Sequence, residues 1–258
     1  MVELRNLTTG YSERGSRKVT VSTGISCCLE KGELVSLLGK NGAGKSTLLK
    51  TLCGFMPPLG GEIMIDGTGI GDYSRSRLSK VVSVVLTERP QVVSMSVEDM
   101  VGMGRAPYTG FGGRLGDNDR EIVDWALTLC GIREMAKRTV DTLSDGERQK
   151  VMIAKALSQT TPVILLDEPS AFLDYPSKVE LMLFLRRLAR EEGKLILQST
   201  HDINVALRLS DRLMLVDRRL GMAYGAPEQL AADGKLEEYF DSSSIYLDGL
   251  EFKIRDNG

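Results

Sequence analysis

Residues 34–52 read LVSLLGKNGAGKSTLLKTL. The first five residues are apolar apart from one serine and suit a buried strand, whereas KSTLLKTL repeats its apolar side chains at helical spacing. Between them, Gly39-Lys40-Asn41-Gly42-Ala43-Gly44-Lys45-Ser46 fits GxxxxGK[ST] in the strand-to-helix setting that this pattern requires. Glycines let backbone N–H groups turn towards phosphate oxygens, and the helix that follows offers its N-terminus to the anion. Lys45 would then neutralise the β- and γ-phosphates and the Ser46 hydroxyl would ligate Mg2+. The competing reading is a glycine-rich turn with no ligand. The flanking strand and helix weigh against it.

Working outward, short apolar runs recur: ELVSLL (33–38), EIMID (62–66), KVVSVVL (80–86), VILLD (163–167), KLILQS (194–199) and RLMLVD (212–217). Segments of helical periodicity lie among them, including EIVDWALTLCGI (121–132) and KVELMLFLRRLAREEG (178–193). Strands apolar throughout, alternating with helices, predict a mostly parallel sheet covered on both faces. Residues 88–160 break the rhythm with a Gly- and Pro-punctuated loop followed by helix only, and read as a helical insertion.

With 42% hydrophobic residues in 258, the chain can bury one sizeable core, or one core with a subdomain packed against it. Lys and Arg (33) nearly balance Asp and Glu (35), and no long basic run stands out, so nucleic acid is not an expected partner. Cys27, Cys28, Cys53 and Cys130 lack CxxC spacing, which favours a reducing, cytoplasmic setting. No apolar stretch approaches the ~20 residues that cross a bilayer, and MVELRNLTTGY has no signal-peptide core. Any membrane role is expected to come through a partner.

PVILLDEPS (162–170) supplies a carboxylate pair at a strand end. Ligands of open parallel sheets bind there, so Asp167 would serve Mg2+ through water and Glu168 would polarise the attacking water. The two tasks separate because successive residues point to opposite sides of a strand. In TLSDGERQKVMIAKALSQ (142–159), Ser144 and Glu147 form a capping box opening an amphipathic helix with Ile153 and Leu157 on one face. His201, the only histidine, follows an apolar run in KLILQSTHDIN (194–204); taken alone it reads as a structural imidazole.

Together, the phosphate loop, the LLDEP strand and the LSDGE segment resemble the ATP-binding subunits of ABC transporters, and the resemblance covers nearly the whole chain. It implies a P-loop NTPase core with an N-terminal antiparallel β part and an inserted helical subdomain. One ABC ATP-binding domain is expected over 1–258: a core at about 1–87 and 160–220, a helical subdomain at about 88–159 and a C-terminal extension at about 221–258. By resemblance, Tyr11 stacks on adenine, and Gly39, Asn41, Gly42, Ala43, Gly44, Lys45, Ser46 and Thr47 cradle the phosphates. His201 becomes the switch histidine that bonds the γ-phosphate. Ser144, Gly146 and Asp174 act in trans on a second copy in a head-to-tail dimer.

The pattern departs in two places. Family members carry an Mg2+-ligating glutamine after the strand matched by VVSVVL; here Thr87 stands there, with Glu88 and Gln91 nearby, and the sequence does not choose among them. Asp145 and Glu147 put negative charge into the signature. VEDMVGMGRAPYTGFGG (97–113), DREIVDWALTLCGI (119–132) and HDINVALRLSDRLMLV (201–216) resemble the ATPases of iron(III)-siderophore, haem and cobalamin importers. Arg105 within that first stretch reads either as a mark of this branch or as a solvated loop charge. The resemblance implies a separate transmembrane permease as partner, indirectly a substrate-binding protein, and a peripheral location on the cytoplasmic face of the inner membrane. A soluble ABC ATPase uncoupled from transport and a nucleotide-gated module with little hydrolysis are the alternatives.

Overall fold

The computed structural model describes residues 1–12, 18–87, 94–110, 112–240 and 244–254. Two long strands, β1 (Val2–Ser12) and β2 (Lys18–Leu29), pair antiparallel from Val2 opposite Leu29 to Ser12 opposite Lys18. β3 (Leu34–Leu38) then runs through the phosphate loop into α1 (Lys45–Leu52). β4 (Gly60–Ile65) pairs antiparallel with β1 and the short β5 (Thr68–Gly69) with β4, giving a four-stranded sheet ordered β2-β1-β4-β5. EIMID therefore belongs to this sheet and not to the parallel one. Its burial alternates, with Ile63 and Ile65 inside and Glu62 exposed, as befits a strand covered on one face.

After α2 (Arg75–Leu78) comes β6 (Val82–Val85), followed by the α-helices α3 (Val97–Gly102), α4 (Asp117–Leu129) and α5 (Asp145–Ser158). The alternation resumes with β7 (Val163–Asp167), α6 (Tyr175–Glu191), β8 (Leu195–Ser199), α7 (Ile203–Leu209), β9 (Arg212–Asp217) and β10 (Gly221–Gly225). Two short helices, α8 (Pro227–Ala232) and α9 (Lys235–Phe240), and a hairpin of β11 (Ile245–Asp248) and β12 (Glu251–Ile254) follow.

The second sheet is ordered β10-β9-β3-β8-β7-β6; its strands are parallel except β10, which closes one edge antiparallel to β9. Its apolar runs have no polar parity because two layers sandwich them. On β7, Val163 and Leu165 face a core shared with Leu4, Leu7, Leu48 and Leu49, while Ile164 and Leu166 face one shared with Val97, Val123, Ile153 and Leu185. Each such side chain contributes about 1.5–3 kcal/mol by leaving water. Parallel pairing brings the carboxyl ends of β3, β6, β7, β8 and β9 to one edge, where every motif singled out in the strands is presented.

Of the two readings of Arg105, the structure excludes the solvated loop charge. It is only 3% exposed. Its Nε donates to Asp119 Oδ1 at 2.9 Å and its Nη1 to the Ser158 carbonyl at 2.8 Å and Thr160 Oγ1 at 3.1 Å, with the guanidinium carbon 3.9 Å from the centroid of the Tyr108 ring. GRAPY is thus a staple between the loop, α4 and the end of α5. Arg105→Ala leaves the buried Ser158 carbonyl and the half-buried Asp119 carboxylate without their donor, so it is expected to cost about 1–3 kcal/mol of unfolding free energy in urea. A loss below about 1 kcal/mol, the range of surface pairs, would contradict the staple. The Arg105 hydrogen bond, with that from the Gly116 N–H, holds the Asp119 carboxyl below its ordinary range. The ion pair's contribution is therefore full at neutral pH and is lost as acidification passes the folded-state value.

Candidate functional site

The phosphate loop is shaped by close approach. A Cβ on Gly39 would lie 2.4 Å from the Val216 carbonyl oxygen; Gly44 has φ +103°, and a Cβ there would lie 2.4 Å from Val21 Cγ1. Only glycine allows β9 and β2 to crowd the loop this tightly. Lys45 opens α1 almost wholly buried and its Nζ donates to the Gly39 carbonyl at 2.8 Å. Burial lowers its pKa, and the charges of Glu168 and Asp167 oppose that shift. Tyr11, 43% exposed at the end of β1, lines the same groove as Asn41, Gly42, Gly44, Lys45, Ser46 and Thr47.

The strand ends beside the loop are laced together. Asp167 Oδ1 accepts from Ser199 Oγ at 2.6 Å and Ser46 Oγ at 3.3 Å. Ser199 Oγ also accepts the Glu168 N–H at 2.9 Å, and Thr87 Oγ1 donates to the Asp167 carbonyl at 3.0 Å. Glu168 has φ +51°, a left-handed backbone that costs a non-glycine residue about 1–3 kcal/mol. The two carboxylates therefore separate by a backbone kink and not by simple strand alternation. Asp167 is buried against hydroxyls, while Glu168 faces the groove and meets His201 Nε2 through Oε1 at 2.5 Å.

His201 is set by its neighbour. Asp202 receives Lys178 Nζ at 3.0 Å and Ser170 Oγ at 3.4 Å, tying the histidine turn to α6 and to the loop after Glu168. Ser199, Lys178, Asp202 and Arg218, whose Nε donates to the Gly42 carbonyl at 2.9 Å, are site residues that sequence reasoning missed. The one available signal was a serine ending the apolar run KLILQS.

The signature behaves in part as its local chemistry predicts. Ser144 Oγ accepts the Glu147 N–H at 3.3 Å and Glu147 Oε2 accepts the Ser144 N–H at 2.8 Å, completing the capping box. Those bonds, with Arg138 on Oε1, hold the Glu147 carboxyl below its ordinary range. Asp174 caps α6, accepting the Ser177 N–H at 3.0 Å. Ser144 and Gly146 do not line the Tyr11–Lys45 groove; they line another with Leu173, Ser177 and Glu180. Asp145 instead borders a small cavity with Thr87, Arg148, Gln149, Asp167 and Glu168. Glu88 and Gln91, the other candidates for the missing glutamine, lie outside the described residues.

A phosphate loop, an adjacent buried aspartate, a groove-facing glutamate and a histidine on it form an arrangement suited to binding and cleaving a nucleoside triphosphate. A family model described as ABC transporter matches residues 22–171. The chain is 34% identical over 232 residues to the iron(3+)-hydroxamate import ATP-binding protein FhuC of Bacillus subtilis (strain 168), covering 90% of this chain and 84% of that protein. A solved structure of an inward-facing metal-chelate type ABC transporter matches with TM-score 0.79 and 25% identity, over 98% of this chain and 94% of that one. The dimeric ABC transporter cassette MJ0796 matches with TM-score 0.71 and 28% identity, over 84% and 94%. The chain belongs to the ABC transporter family and is an ABC ATPase, an ATP-binding cassette of that family's fold. Among the described residues no helix is long and apolar enough to cross a membrane.

Proposed function

We propose that this chain is the ATP-hydrolysing subunit of an importer that takes up an iron(III)-siderophore, haem or cobalamin through a separate permease, in concert with a substrate-binding protein. It is one ABC domain over 1–258, with a core at about 1–87 and 160–220, a helical subdomain at about 88–159 and an extension at about 221–258. Tyr11 stacks on adenine; Gly39 and Asn41–Thr47 cradle the phosphates and Lys45 neutralises them. Glu168 is the general base for the attacking water and His201 positions it. Ser144, Gly146 and Asp174 serve the site of a second copy, a reading supported by the dimeric form of the similar cassette. The observation that carries the proposal is the convergence of Lys45, Ser46, Asp167, Glu168 and His201 at one sheet edge.

The donors near Lys45 suit Mg2+: Ser46 and Asp167 offer hard oxygens 3.3 Å apart, few enough to leave the rest of an octahedral shell to phosphate and water. When bound, the ion would neutralise phosphate charge; Ser46 would hold it directly and Asp167 through water. Thr87, whose hydroxyl donates to the Asp167 carbonyl and keeps its oxygen lone pairs for a metal or its water, stands beside this pair, with Glu88 and Gln91 as the other candidates for the missing glutamine's place. Thr87 where a longer glutamine would stand, together with Asp145 in the signature, favours as a second reading a module that hydrolyses slowly.

The import assignment is supported by the similarity to FhuC, an iron(3+)-hydroxamate import ATP-binding protein, and to the metal-chelate type transporter. The subunit would sit on the cytoplasmic face of the inner membrane, held there by the permease. The test is to purify the tagged chain from its own membranes in detergent, reconstitute whatever integral membrane protein accompanies it, and measure ATPase with and without the substrate-binding protein loaded with iron(III)-siderophore, haem or cobalamin. Stimulation by one loaded protein is expected. Recovery of the chain without any membrane protein would defeat the importer reading.

A further inference from the structure

Arg218 lies in none of the motifs, yet it stands over the phosphate loop. It follows β9 in the turn to β10. Asp217 closes that turn: its Oδ1 accepts the Arg219 N–H at 2.7 Å and the Leu220 N–H at 3.1 Å. These bonds hold the Asp217 carboxyl below its ordinary range, so the turn stays capped at neutral pH. From this fixed base the side chain reaches back, and its Nε donates to the Gly42 carbonyl. It thereby lines the groove that holds Tyr11, Asn41, Lys45, Thr47 and Glu168, and on the flank of the loop it stands with Lys40 and Arg219, three cations against the one carboxylate of Asp217.

We infer that Arg218 is a nucleotide ligand, a second cation beside Lys45 whose guanidinium grips phosphate oxygens from the tip of the loop. A guanidinium has five N–H donors in a planar fork. One is committed to Gly42, which fixes the plane, and the fork can then serve a second acceptor without further ordering. The inference rests on the assignment of Gly39–Thr47 as the nucleotide site.

The experiment is titration of the full-length chain with a fluorescent ATP analogue and Mg2+. Arg218→Ala is expected to raise the dissociation constant about tenfold, by an amount that shrinks as salt is raised. Arg218→Lys should recover part of that loss. Arg218→Gln, which keeps an N–H for the Gly42 carbonyl but no charge, should not. Binding by Arg218→Ala within about twofold of the native chain would overturn the inference. So would full recovery by Arg218→Gln, since that would make the residue a prop for the loop. Lys45→Ala in parallel separates the two levels. If it loses binding while Arg218→Ala does not, the site stands and this inference falls; if both bind normally, the site assignment falls as well.

Discussion

Glu168→Gln is expected to keep its ATP and to lose about 100-fold or more of its steady-state phosphate release. The substitution is nearly isosteric. The backbone kink at φ +51° is held from outside the side chain, by the Glu168 N–H on Ser199, so the glutamine starts from the same position. What changes is the ability to accept a proton, which an amide lacks. Nucleotide affinity, read by the fluorescent analogue, should stay within about tenfold, because the phosphates are held by Lys45 and the loop amides. Phosphate release near the native rate would remove Glu168 from the role of base.

His201→Ala should lower turnover by about 100-fold while leaving nucleotide binding in place, the scale of removing one preorganised polar group at a reacting centre. The ring meets Glu168 Oε1 at 2.5 Å, and its own place is fixed by the Asp202 bridge to Lys178 and Ser170. Without it the carboxylate keeps its chemistry but loses a geometric restraint, and misplacement by about 1 Å can itself cost about 100-fold. Single-turnover and steady-state phosphate release should fall together. Normal turnover would return this histidine to a structural role.

Much of the site was legible because it is local. Gly39–Ser46 and Asp167-Glu168 each carry their meaning within a few residues, and β3 and β7 are apolar on both parities because layers cover both faces. The capping box at Ser144 is equally local, and the structure contains it. The rest depends on residues far apart in the chain. Nothing near Arg105 reveals that Asp119, Ser158 and Thr160 close around it, so the sequence leaves a solvated loop charge open beside the branch mark. Ser199 gains its place only when β8 lies beside β7, and Arg218 only when the β9–β10 turn folds over Gly42. EIMID shares its composition with the parallel strands, and its pairing with β1 is what assigns it to the other sheet. The kink at Glu168 follows from no propensity of glutamate; tertiary contacts impose it.

The most direct test of the central claim, that a triphosphate is shared between the phosphate loop of one copy and the Ser144 helix tip of another, is the mass in solution of Glu168→Gln at saturating ATP and Mg2+. The account predicts a dimer that forms only with nucleotide, and a monomer still holding ATP when Ser144→Arg is added. A Glu168→Gln chain that binds ATP but stays monomeric, or a dimer indifferent to both nucleotide and Ser144→Arg, would contradict it.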